Sequence, residues 1–218
     1  MSILKDKLLY QPLFSPWLVR HGLLAKIMAE IKPYTLVSQD RVYMLFTLGI
    51  QAQHLPGNFW ECGVYKGGTA MMLAQLIVAQ PDKHLRLFDT FDGMPVTDPK
   101  RDFHREGDFS DTSLNTVKLR VGEVPSITYY PGFIPESFQG LEQEKIAFAH
   151  IDVDIYQSVR DCCDFIYPRV VGGGFMVFDD YGFPSCPGAR EAVDDFFADK
   201  PEHPLVLPTG QALVIKIP

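Results

Sequence analysis

Five carboxylates close short apolar runs in this 218-residue chain: Glu61, Asp89, Asp152, Asp179 and Asp180. An apolar run of that kind reads as a buried strand, here delivering a charge at its carboxyl end. Directly after Glu61 comes a glycine-rich turn, Cys62-Gly63-Val64-Tyr65-Lys66-Gly67-Gly68-Thr69. Glycines let a backbone approach a ligand with no Cβ in the way. The helix that follows offers free N–H groups and the positive end of a dipole. The turn through Gly63, Tyr65, Gly67, Gly68 and Thr69 is therefore a place for a nucleotide phosphate or a ligand carboxylate.

The acids weigh between the two. A nicotinamide dinucleotide wants G-x-G-x-x-G, but Gly63 is followed by Gly67-Gly68, and Glu61 precedes the turn. A carboxylate there repels a pyrophosphate and suits an amino-acid ammonium. Asp89, ending the second expected strand, is placed to accept hydrogen bonds from ribose hydroxyls. Ammonium, carboxylate and ribose together describe S-adenosylmethionine. No tyrosine has a lysine four residues on, so the pair a short-chain reductase needs is missing. The plainer alternative is a tight turn with Glu61 paired to a lysine.

Asp152, Asp179 and Asp180 fall at the ends of strands expected to be neighbours. Two like charges ~4 Å apart repel by about 4 kcal/mol at an effective dielectric near 20. Such a trio protonates in part unless a cation binds it. Oxygen-only ligands favour a hard divalent ion such as magnesium. The alternative is that some of them cap helices or bind arginine, for instance Asp180 with Arg190. Asp154 reads as a supporting residue or a helix N-cap. His150, inside a strand, reads as a packed, hydrogen-bonded residue rather than a base.

The elements that must position these groups alternate. Strands are expected from Phe59, at Leu85 to Asp89, Ile127 to Tyr130, Lys145 to Asp152 and Phe175 to Phe178. Helices are expected over residues 71–79, 114–124, 156–167 and 190–198, and a helical turn over 137–143. Residues 205–207 and 212–217 flank Pro208-Thr209-Gly210 and read as a hairpin. Strand–helix alternation predicts an α/β fold with a parallel sheet covered on both faces. Ahead of it, residues 17–31 and 42–53 carry apolar residues at helical spacing. Residues 1–57 are thus an N-terminal helical extension, able to cover the site or to make a homo-oligomer contact, and 58–218 the ligand-binding domain. The charged stretch 96–113 is long enough for a functional or mobile loop.

Bulk properties narrow the class. The chain is 46% hydrophobic, enough for one ordinary core. A net charge of −7 disfavours nucleic acid and anionic membranes as partners. Pro12 and Pro16 interrupt the apolar start, so neither a signal peptide nor a membrane span is expected. The four cysteines form no C-x-x-C pair, as for free thiols in a reducing cytoplasm.

Five pieces in order carry a resemblance: Glu61 to Thr69, Asp89-Thr90-Phe91-Asp92-Gly93-Met94-Pro95, Gly107-Asp108-Phe109-Ser110, His150 to Tyr156, and Phe178-Asp179-Asp180-Tyr181-Gly182. Over about residues 55–217 the chain resembles the macrocin O-methyltransferases of macrolide and aminocoumarin sugar tailoring. The resemblance implies a Rossmann-like class I methyltransferase fold, a mostly parallel sheet with an antiparallel C-terminal hairpin. It implies S-adenosylmethionine and magnesium as cofactors and a sugar hydroxyl as acceptor. It assigns the metal to Asp152, Asp179 and Asp180, the general base to Asp152, and the adenine contacts to Asp108 and Ser110. The extension looks shorter than in the family's antibiotic enzymes, and that part shapes the acceptor pocket. A catechol or phenol acceptor is the alternative within enzymes, and a non-catalytic S-adenosylmethionine-binding protein the alternative outside them.

Overall fold

The computed structural model describes residues 22–218, so the first part of the helix expected from Trp17 lies outside the described residues. Two helices come first, α1 (Leu23–Ile31) and α2 (Gln39–Ala52). Then follow β1 (Asn58–Cys62), α3 (Gly68–Ile77), β2 (Leu85–Asp89), α4 (Leu114–Val121), β3 (Ile127–Pro131) and β4 (Ile146–Ile151). The chain continues through α5 (Tyr156–Ile166), β5 (Val170–Phe178), α6 (Pro187–Phe197), β6 (Leu205–Val206) and β7 (Ala212–Ile215). The seven strands lie in the order β3-β2-β1-β4-β5-β7-β6. Pairing is parallel from β3 to β5, and β7 runs antiparallel to both β5 and β6. This is the mixed α/β architecture expected, with the antiparallel pair at the C-terminus.

Side-chain alternation divides the core into two layers. Phe59, Phe148 and Val177 point to one face and pack with Ile27, Leu45, Leu73 and Val117 from α1 to α4. Trp60, Ala149 and Met176 point to the other and pack with Val159 and Val193 from α5 and α6. The N-terminal helices thus share a core with the sheet. The layers hold the parallel strands buried on both sides, as such sheets require.

Several boundaries differ from the sequence reading. Helix α3 starts at Gly68, inside the glycine pair, because Gly67 adopts φ 89° as its N-cap. Helix α6 starts three residues early at Pro187, where a missing N–H leaves nothing unpaired. The glycines 172–174 lie inside β5 rather than ahead of it. The expected turn over 137–143 is a 3₁₀ turn at Glu136–Phe138.

Candidate active site

Strand order reverses between β1 and β4, and a crevice must open there beyond the carboxyl ends. A cavity of about 290 Å³ occupies it. Gly63, Tyr65, Thr69 and Asp89 line one side, and Asp152 and Asp180 the other. Four of the described non-glycine residues have positive φ, Tyr65, Phe91, Phe109 and Asp154, and all belong to loops around this cavity. Strained backbone of this kind concentrates at functional sites.

The turn after β1 is held by Asp89. Its Oδ2 accepts from the backbone N–H of Val64 at 2.6 Å and of Tyr65 at 2.9 Å, and its Oδ1 from Phe91 N–H at 2.6 Å. A Cβ on Gly63 would lie 1.8 Å from the Asp152 carbonyl oxygen, so this position admits no side chain. Gly67 and Gly68 do not line the cavity. A Cβ on Gly68 would meet the Tyr34 carbonyl at 2.7 Å, so the glycine lets the segment between α1 and α2 lie on the start of α3.

Glu61 is also absent from the lining. Parallel register sets it beside His150, and its Oε1 lies 2.9 Å from His150 Nδ1. His150 Nε2 lies 3.4 Å from Asp179 Oδ1. Burial alone would push this imidazole down, but hydrogen bonds to Asp179 and Glu61 outweigh it and hold the pKa well above the ordinary range. Asp179 in turn pairs with Arg41 of α2 and accepts from Gln211 Nε2 at 2.8 Å. Arg41, Asp179, His150 and Glu61 therefore form one chain of alternating charge. Burial pushes Asp179 up, yet His150 and Arg41 bring it below the carboxylate range. Glu61 Oε2, fully buried, ends the chain with no partner.

The three acids expected to act together are thus unequal. Asp179 is ion-paired and does not line the cavity; Asp152 and Asp180 line it with Asp154. Burial, then the charge of Asp179, holds Asp152 well above the carboxylate range. Burial, then Asp154, does the same for Asp180, whose Oδ2 also accepts from Asp154 N–H at 3.1 Å. Asp180 is not paired with Arg190, which instead reaches Asp194 at 3.5 Å.

The loop after β2 closes the crevice. It is pinned by buried Asp102, whose Oδ1 accepts from Tyr156 N–H at the start of α5 at 2.9 Å. Asp108 and Ser110 do not line the cavity; Phe109 between them does, its ring 5.7 Å from that of Tyr65 in an edge contact. The sequence reading missed Arg41, Phe109, His104 and Cys186. Only Phe109 carried a signal, since it lies inside the Gly107-Asp108-Phe109-Ser110 motif; Arg41 meets Asp179 across 138 positions.

Residues 31–206 match the family model of macrocin-O-methyltransferase (TylF). The 8-demethyl-8-(2,3-dimethoxy-alpha-L-rhamnosyl)-tetracenomycin-C 4'-O-methyltransferase of Streptomyces olivaceus is 28% identical over 67% of this chain and 60% of its own length. The mycinamicin III 3''-O-methyltransferase of Micromonospora griseorubida is 29% identical over 65% and 61%. The match therefore spans about three fifths of these relatives. Among solved structures, the O-methyltransferase NovP superposes with TM-score 0.76 at 21% identity, covering 85% of this chain and 83% of that one. The calicheamicin methyltransferase CalS11 gives 0.71 at 20%, covering 96% and 89%. Both structural likenesses are likenesses of fold.

Proposed function

Since the chain belongs to the macrocin O-methyltransferase family, we propose that it transfers the methyl group of S-adenosylmethionine to a hydroxyl of a glycosylated small-molecule natural product. The observation that carries this reading is one cavity joining the Asp89-clamped turn to Asp152 and Asp180. The relatives' names, which describe methylation of glycosylated compounds, support the acceptor class. So does the rim: Leu36 and Phe133 line the cavity yet are 66% and 57% exposed. An apolar edge of this kind suits an acceptor with a large apolar part better than a free sugar.

The residues fit the donor. Three backbone N–H groups occupy Asp89, and a carboxylate has about four acceptor sites, so a ribose hydroxyl can still be received. Glu61 Oε2 has no partner, but Glu61 is buried and off the cavity wall, so the ammonium is left to groups that line the cavity. Tyr65 and Phe109 offer an aromatic corner for a planar base.

They also fit a hard divalent cation. Asp152, Asp179 and Asp180 would hold it; Asp152 and Asp179 each bring a ligand atom within 4.8 Å of the other beside His150, a group that Asp180 does not join. Arg41 would have to release Asp179. When bound, such an ion lowers the pKa of an acceptor hydroxyl and orients it. Asp152, which lines the cavity, would take the hydroxyl proton on a carboxylate oxygen.

Incubation with methyl-labelled S-adenosylmethionine, magnesium and a panel of glycosides and phenols tests the reading. Label on a glycoside hydroxyl is expected. Label on catechols alone would replace the acceptor class, and binding of donor without transfer to any acceptor would favour a non-catalytic role.

A further inference from the structure

Three segments far apart in sequence bring a nitrogen, an oxygen and a sulfur together on the cavity wall. They are His104 from the loop after β2, Asp154 after β4, and Cys186 at the start of α6. His104 Nε2 lies 3.7 Å from Asp154 Oδ1 and 3.6 Å from Cys186 Sγ, and Sγ lies 3.5 Å from the same Oδ1. A tetrahedral zinc ion with ordinary bonds to sulfur, imidazole and carboxylate separates its ligands by about 3.4–3.6 Å. We propose that His104, Asp154 and Cys186 form a second cation site, a three-ligand set for one zinc-class divalent ion with its fourth position open to the cavity.

Each ligand is held for the task. The other ring nitrogen of His104, Nδ1, faces Asp108 Oδ2 at 3.1 Å, and that oxygen also accepts from Arg105 N–H at 3.0 Å. A carboxylate behind the imidazole fixes the ring and leaves Nε2 as the free donor atom, the usual support of a metal-bound histidine. Asp154 sits at φ 59°, a conformation an aspartate adopts at some cost, with its N–H tied to Asp180. Cys186 occupies the N-cap position of α6 but makes no capping bond; its sulfur turns instead to His104 and Asp154.

The order Cys186, His104, Asp108 also resembles a nucleophilic triad, and electrostatics separate the two readings. Burial, then the carboxylates of Asp180 and Asp154, push the Cys186 thiol up, against an activated thiolate. The same carboxylates attract a dication. The sulfur and imidazole select a softer ion than the oxygens of Asp152, Asp179 and Asp180 do. A bound ion would fasten the loop after β2 to the start of α6.

Cobalt(II) serves as the probe, titrated into chelator-stripped full-length protein in excess magnesium. The expected result is one bound equivalent with a thiolate-to-cobalt charge-transfer band and tetrahedral d–d bands, displaced by zinc. C186S should lose the charge-transfer band. H104A and D108N should bind roughly 10–100-fold more weakly, and D152N should bind as the parent does. Near-ultraviolet circular dichroism of each metal-free variant checks folding, and H104A, on a loop, keeps the test decisive should C186S misfold. No charge-transfer band in the parent, unchanged binding in H104A, displacement by magnesium, or loss of binding in D152N would each overturn the proposal.

Discussion

Arg41 of α2 ion-pairs with Asp179, the residue that directly follows β5. The pair joins the N-terminal helices to the strand ends that the acids occupy. Arg41 is fixed besides by Leu36 O at 2.9 Å and stands 4.7 Å from the Phe183 ring centroid. R41A leaves Asp179 with His150 and Gln211, so its cost should fall short of the 3–5 kcal/mol of an orphaned buried charge, at about 2 kcal/mol. D179N leaves Arg41 and His150 facing a neutral amide and should cost more than R41A. Urea denaturation of both, with equal m-values, checks the ranking.

The other two acids should behave oppositely. Asp152 and Asp180 carry raised pKa values because burial and neighbouring carboxylates disfavour their charge. Asparagine keeps the shape and removes that charge. In chelator at neutral pH, D152N and D180N should melt a few degrees higher than the parent, a gain of about 1–2 kcal/mol. Magnesium should raise the parent's Tm and leave D152N unmoved, while D152N loses turnover. Scanning calorimetry with and without the ion measures both.

D89A removes the acceptor of three backbone hydrogen bonds and, on the proposed reading, the partner of the donor's ribose. Binding of S-adenosylhomocysteine should weaken by about 1.5–3 kcal/mol, roughly ten- to a hundredfold. Isothermal calorimetry reads it, and unchanged affinity would mean that Asp89 serves the turn alone.

Glu202 supplies the acid side of the stability curve. Burial pushes its carboxyl up, but Lys216, Tyr167 and Ile217 N–H outweigh this and bring it down from 4.5 to about 2. A depressed folded pKa means stability that is fully present above pH 4.5 and lost as pH falls towards 2. E202Q should therefore cost about 3 kcal/mol at neutral pH, and the gap to the parent should narrow steadily below pH 4.5. Denaturant titrations at several pH values measure that gap.

The sheet was legible in sequence because each parallel strand is a mostly apolar run closed by an acid or a turn, as β4 is by Asp152. The glycine turn was legible because its backbone needs are local: Gly63 and Gly67 must take φ 86° and 89°. What stayed hidden depends on side-chain direction and long-range register. Alternation along β1, β4 and β5 puts Glu61, His150 and Asp179 on one face, under α2. Nothing local to Asp179 marks it as paired while Asp180, one residue on, turns to the cavity. Asp108 and Ser110 flank Phe109 at φ 60°, so the motif was located but the residue facing inward was not.

The Gly63 position, with only 1.8 Å between an added Cβ and the Asp152 carbonyl, gives the two halves of the crevice a common hinge of tolerance. Asp152 N–H also bonds to the Cys62 carbonyl at 2.8 Å, so the two loops are joined at their roots. Whatever settles the turn after β1 must settle the acid after β4 to the same extent. By reciprocity, occupancy of either half would then be felt as affinity in the other, and neither could be retuned by substitution without detuning its neighbour.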